Sequence, residues 1–325
     1  MTRLFASRPG LIAIILIALF NAVLVVLANG EAIGPTSKMK LGDVKSWGYQ
    51  LQRLDVHKAA RMPHDLLVVD YSKDGSAAGA LSWSELSRLK TKPDGSRRIV
   101  LAYLSIGEAE DYRYYWKPGW QAARPSWLGS ENKNWPGNFL VKYWMPEWQR
   151  IILQKETGYL AKIISRGFDG VYLDRIDAYA DWKKTHKASR EQMIDFVIKL
   201  SRLAKSRAND FIIFAQNAEE LLTTSRYIEH IDGIAKEDML FGASHKIEPN
   251  PSSMRASHIK YLKLARKENK TVLVVEYLPP KFEKRNKIVQ QIRKLKFIQY
   301  ISRRKLDALF STPEKRNCPF GSKQS

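Results

Sequence analysis

The sequence predicts an α/β protein, a (β/α)8 TIM barrel with a long tryptophan-rich region after the third strand. Short apolar runs recur along the chain, most of them followed by an amphipathic stretch of helical period. Eight such runs fit within about 280 residues, the size of this barrel. Acidic residues also recur where the runs end, and in a barrel all those ends open on one mouth. The runner-up, an open doubly wound sheet, usually carries a G-x-G-x-x-G loop after its first strand, and none is present.

Taken in order, residues 1–30 read as a signal peptide or signal anchor. Arg3 and Arg8 precede an apolar run, Leu11 to Ala28, interrupted only by Asn21. That length reaches the lower limit for spanning a bilayer, and Val26 and Ala28 suit a cleavage point. Either reading places the protein outside the cytoplasm, secreted or periplasmic, free or anchored by this segment. A linker is expected over 31–45, the barrel over 46–313 and a basic tail over 314–325. Strands are expected at Ser46–Leu51, Leu66–Tyr71, Ile99–Ile106, Gly170–Asp174, Phe211–Gln216, Gly233–Glu237, Val272–Tyr277 and Ala308–Ser311. Helices are expected at Ser84–Leu89, Glu147–Ser165, Arg190–Ser206, Ser253–Lys267 and Lys284–Arg304. Ser82 and Glu85 have the spacing of a capping box. Pro125, Pro136 and Pro146, with Gly119, Gly129 and Gly137, mark the stretch between the third and fourth strands as loop.

The chain has 325 residues, 44% of them hydrophobic and 27% charged, which excludes wholesale disorder. Lys plus Arg number 54 against 33 acids, a net charge of +21. Such a charge favours anionic neighbours and says nothing about fold. The last 45 residues hold 13 Lys/Arg and three acids, so the C-terminal helix is either a solvated face or a contact for an anionic envelope or membrane surface. Nucleic acid is not expected, since basic surface alone is a weak signal and the leader argues against it. The single cysteine, Cys318, rules out an intrachain disulfide and a Cys-rich metal site. The six histidines show neither H-x-H nor H-E-x-x-H spacing, and there is no G-x-S-x-G elbow or P-loop, so neither metal nor cofactor is expected.

The strand ends carry the chemistry. They hold Asp70 and Tyr71; Tyr103, Ser105 and Glu108; Tyr172, Asp174 and Asp177; Gln216 and Asn217; Glu237; and Glu276 and Tyr277. Strand alternation puts Tyr172 and Asp174 on one face, and Gly233, Ala235 and Glu237 likewise. Glycosidic cleavage needs two carboxyl groups flanking the bond, one to donate a proton and one to attack the sugar or activate water. The alternative is that these acids pair with the abundant Lys and Arg, or cap helices. Six of the nine tryptophans, Trp144 among them, fall between Tyr115 and Gln149. They serve either as faces for a pyranose or as a small core for the long loop.

At these residues the sequence resembles glycoside hydrolase family 114, the endo-α-1,4-polygalactosaminidase type, over roughly Trp47 to Pro313. The signals are Y-L-S-I-G-E-A-E-D-Y-R-Y-Y-W at Tyr103–Trp116, G-F-D-G-V-Y-L-D-R-I-D-A-Y at Gly167–Tyr179, A-Q-N-A-E-E-L at Ala215–Leu221 and I-D-G-I-A-K-E at Ile231–Glu237. The resemblance implies a TIM barrel that cleaves α-1,4-linked galactosamine or N-acetylgalactosamine polysaccharide. Asp174 would be its nucleophile and Glu237 its proton donor, with configuration retained. It also implies substrate contacts at Asp70, Tyr103, Asp177, Asn217 and Glu276. Arg175 stands where an uncharged residue is expected, and Ala218 where a glycine is common. A non-catalytic polysaccharide-binding envelope protein using the same cleft is the alternative.

Overall fold

The computed structural model describes residues 39–311. Its strands are β1 (Trp47–Gln50), β2 (Leu66–Asp70), β3 (Ile99–Ser105), β4 (Glu108–Glu110), β5 (Leu128–Glu131), β6 (Asn138–Val141), β7 (Gly170–Asp174), β8 (Ile212–Gln216), β9 (Gly233–Glu237), β10 (Thr271–Tyr277) and β11 (Ile298–Ser302). Eight of them form one parallel sheet in the order β1-β2-β3-β7-β8-β9-β10-β11, with helices between successive strands. The two edge strands meet: Trp47 Nε1–H donates to the Ile298 carbonyl at 3.0 Å, and the Leu51 amide to the Leu306 carbonyl at 2.9 Å. The predicted (β/α)8 barrel is therefore observed.

Alternation along each strand sorts side chains between two cores. Trp47, Tyr49, Leu66, Val68, Leu101, Tyr103, Tyr172, Phe214, Leu273 and Val275 pack inside the barrel. Leu67, Val69, Val100, Val171, Ile213, Ile234 and Val274 pack outward against the helices. Buried on both faces, the strands read as continuous apolar runs, which is why they were legible. The interior is plugged by rings: Tyr172 lies 5.1 Å from Tyr49 and 6.3 Å from Phe214, and Trp47 lies 5.6 Å from Tyr300. Gly233 makes room for this layer, since a Cβ there would sit 2.2 Å from the Phe214 ring. At Gly170 the crowding is backbone: a Cβ would lie 2.2 Å from the Ile212 carbonyl oxygen.

Seven of the eight predicted barrel strands stand within a residue or so of their expected positions. The eighth does not. It is Ile298–Ser302, inside the helix expected over Lys284–Arg304, while Ala308–Ser311 forms no strand. The helix stops at Lys294, and the chain reverses through Lys296 at φ 59°. Tyr300 then points into the barrel and Ile301 away from it. The helix expected over Glu147–Ser165 is two, Pro146–Leu153 and Tyr159–Arg166, broken before Gly158. The predicted loop after the third strand contains an antiparallel sheet ordered β4-β6-β5. The Ser82–Glu85 capping box forms as expected at the start of Trp83–Leu89. The leader, the first part of the linker and the tail lie outside the described residues. Among the described residues no helix is long and apolar enough to cross a membrane.

Candidate active site

β7 and β9 each end on an inward carboxylate. Inward alternation on β7 runs Gly170, Tyr172, Asp174, and on β9 Gly233, Ala235, Glu237. Lys236 falls on the other face, where it pairs with Glu219 at 3.4 Å. Neighbouring strands supply the groups that hold the two acids. The Tyr103 hydroxyl on β3 donates to Asp174 Oδ2 at 2.6 Å, and the Arg175 amide donates to Oδ1 at 2.7 Å. Glu237 accepts from Gln216 Nε2 and from the Tyr277 hydroxyl, and from Asn217 Nδ2 at 3.0 Å. The Asn217 side-chain oxygen accepts in turn from the Glu237 amide at 3.2 Å, which fixes the strand end. Tyr49 donates to Gln216 Oε1 at 3.3 Å from β1, on the far side of the barrel.

The two carboxyls share an electrostatic environment. Burial, and next the charge of Glu237, push Asp174 up to about 7, with the Tyr103 hydrogen bond pulling the other way. Burial, and next the charge of Glu237, also push Tyr277 well above the ordinary tyrosine value, so its hydroxyl remains a donor. Removing the Tyr103 donor removes a bond that favours the charged carboxylate. Tyr103→Phe is therefore expected to raise the Asp174 titration further, read by carbon NMR of the labelled carboxyl group; an unchanged or lowered midpoint would refute this account of the site.

Around the pair, arginines hold the remaining acids. Arg113 pairs with Asp70 at 2.6 Å and with Glu110 at 2.6 Å. Arg175 contacts Glu108 at 2.9 Å, Asp177 at 3.0 Å and Asp181 at 2.7 Å. Arg304 pairs with Asp238 at 2.9 Å and lies 4.6 Å over the Tyr277 ring. Sequence reasoning nominated none of these arginines as site residues, although Arg113 and Arg175 stand inside the motifs.

Not every nominated residue reaches the mouth. Tyr71 turns into the helix layer, 5.5 Å from Tyr159 and 6.4 Å from Phe168. Glu276 also lies on the outer face, fully buried, where its two oxygens accept from the Leu240 and Phe241 amides at 2.7 and 3.1 Å. Burial pushes it up to about 8 against those two donors. It therefore shapes the loop after β9. Ser105 is buried and donates to the Glu108 carbonyl at 3.0 Å, tying β3 to β4. Glu108 is buried and accepts from Asn132 Nδ2 at 2.8 Å. Tyr172 lies beneath the carboxylates in the ring layer, and its buried hydroxyl has no hydrogen-bond partner. Trp144 stacks on His186 at 4.1 Å and meets Trp182 edge-on. Trp116, Trp120, Trp127 and Trp148 touch in sequence at 5.0–5.3 Å, with Trp127 and Trp148 buried, so these four are the insertion's own core. Among the described residues no three His, Cys, Asp or Glu side chains gather as a metal site.

Comparison with known proteins agrees with this fold. Residues 29–318 match the family described as Glycoside-hydrolase family GH114. An uncharacterized protein of Methanocaldococcus jannaschii is 40% identical over 260 residues, covering 78% of this chain and 72% of its own. One of Thermotoga maritima is 34% identical over 260 residues, covering 77% of each. The fold is shared with the glycoside hydrolase domain of PelA from Pseudomonas aeruginosa, at TM-score 0.62 and 18% identity, covering 82% of this chain and 97% of that one. It is shared also with Aspergillus fumigatus Ega3, solved in complex with galactosamine, at TM-score 0.61 and 19% identity, covering 84% and 98%.

Proposed function

Because the chain belongs to glycoside hydrolase family GH114, we propose that it hydrolyses α-1,4-linked galactosamine or N-acetylgalactosamine polysaccharide, with Asp174 and Glu237 as the reacting pair. The observation that carries this reading is their convergence: inward ends of β7 and β9, each held by a tyrosine hydroxyl, in one electrostatic environment in which Asp174 feels the charge of Glu237. In the retaining route Glu237 gives its proton to the leaving glycosidic oxygen while Asp174 attacks the anomeric carbon. The Glu237 carboxylate then takes a proton from water, which releases the sugar from Asp174. Tyr103 and the Arg175 amide stabilise Asp174 while it is charged. Gln216, Asn217 and Tyr277 do the same for Glu237 once its proton has gone. Asp70 and Asp177, fixed by Arg113 and Arg175, offer their remaining oxygens to substrate hydroxyl or amino groups.

The leader supports work outside the cytoplasm, where such polymers lie. The basic helix Arg285–Lys294 supports contact with an anionic envelope or membrane surface. Incubating the protein with a panel of aminosugar polymers of defined acetylation, and sizing the products, tests the function. Shorter chains with new reducing ends from α-1,4-linked galactosamine polymers are expected. Binding with no new ends would instead make the protein a polysaccharide-binding one.

A further inference from the structure

At the end of the barrel away from Asp174 and Glu237, where the strands begin, there is a cavity of about 700 Å³. Its walls come from the segment Leu41–Lys45 ahead of β1, the first residues of β10 and β11, and the turns that precede them. Four cations line it: Lys45, Arg266, Arg293 and Lys296, all exposed. Among the described residues none of the four has an acidic partner in an ion pair, and the Arg266 side chain bonds the Lys270 carbonyl at 3.4 Å. The one carboxylate in the lining, Asp232, is already engaged by Lys205 at 2.9 Å and by the Ile213 amide at 2.8 Å. Arg266 and Arg293 stand in the last turns of their helices, where a cation offsets the helix dipole. Lys296 follows the C-cap of the same helix as Arg293, Lys45 belongs to no helix end, and about half a unit charge per helix does not balance four cations.

We propose that this cavity is an anion site that seats the phosphate of an anionic phospholipid headgroup, docking the closed end of the barrel on a membrane. The cations supply the chemistry: a phosphate is a strong acceptor for guanidinium and ammonium groups, and juxtamembrane Lys and Arg are drawn to anionic leaflets. The sequence supplies the reason to choose a lipid over free phosphate. Read as an anchor, the apolar run ending at Ala28 keeps the chain at a bilayer, and twelve residues of sequence separate it from Leu41 in the cavity wall. Docked this way, the mouth opens away from the membrane, because it lies at the opposite ends of the same strands. The site rests on the reading that the protein works against an anionic surface. It does not depend on what the mouth hydrolyses.

The test is co-flotation of the full chain with vesicles of phosphatidylcholine alone, or of phosphatidylcholine with phosphatidylglycerol, so that binding by the leader is common to both. The anionic vesicles should retain the protein roughly tenfold or more over the neutral ones. Reversing Arg266, Arg293 and Lys296 to Glu should abolish that preference. Reversing Lys183, Lys184 and Lys187, exposed after β7 at the mouth end, changes net charge equally and should retain most of it. An equal loss in both variants would reduce the effect to overall charge and overturn the site. No preference in the wild type would overturn the anionic-surface reading itself. Displacement by inorganic phosphate at constant ionic strength would identify the ligand as the free ion and overturn the lipid assignment.

Discussion

Asp174→Asn and Glu237→Gln are each expected to lower polymer hydrolysis by roughly 10²–10⁴-fold or more, with little change in thermal stability. Both substitutions keep shape and remove only the group that must carry charge or a proton. The flanking donors remain in place, so the barrel end is not unpinned. Asp181→Asn, which removes one half-exposed partner of Arg175, should cost only a small fraction of that loss. The two roles separate by chemistry. In a retaining enzyme, Asp174→Gly leaves room for azide to attack the sugar in place of the carboxylate, giving a glycosyl azide of inverted configuration. Glu237→Ala slows both steps, and azide then restores turnover by attacking the covalent intermediate, with net retention. NMR of the first-formed product anomer checks the assignment. Wild-type rates in either isosteric variant would show that the pair is not the catalytic one.

How much of this was legible follows from which signals the physics writes into the chain. Barrel strands are buried on both faces, so they announce themselves as apolar runs; seven were found on that ground. The eighth was lost because the helix before it runs into the strand with no Gly or Pro between them. Lys296 takes the left-handed conformation that a glycine usually marks. The β4-β6-β5 sheet was invisible for another reason: its strands have three or four residues, and β4 is Glu-Ala-Glu, which shows no apolar periodicity. At the site, alternation correctly aimed Asp174 and Glu237 inward. The same rule, applied strictly, allows only one of two adjacent residues to face the mouth while the backbone stays extended; Gln216 and Asn217 both reach Glu237 because Asn217 turns at φ 56°. The rule would have kept Asp70 and Tyr277 and released Tyr71 and Glu276, as the structure does. The arginines escaped for lack of any period. They matter through what they neutralise, and pairings such as Arg113–Asp70, 43 positions apart, leave no local pattern.

Arg113→Met should be the most damaging substitution outside the reacting pair, and for the fold rather than for the chemistry. The guanidinium is almost fully buried between Asp70 and Glu110, which are themselves buried. Burial alone would weaken its charge, but the two carboxylates outweigh that and hold it well above the usual arginine value. It also lies 4.8 Å over Tyr112 and 5.9 Å from Tyr103, so it joins the end of β2, the insertion and the tyrosine that grips Asp174. Deleting one partner of a buried ion network costs about 3–5 kcal/mol, because the remaining charges stay buried without compensation. For a chain of this size that is a fall of very roughly 6–15 °C in melting temperature. Adding Asp70→Asn and Glu110→Gln to Arg113→Met removes the stranded charges and should recover much of the stability. Thermal unfolding of the two variants decides it. A triple variant no better than the single one would mean that Arg113 contributes packing and not charge.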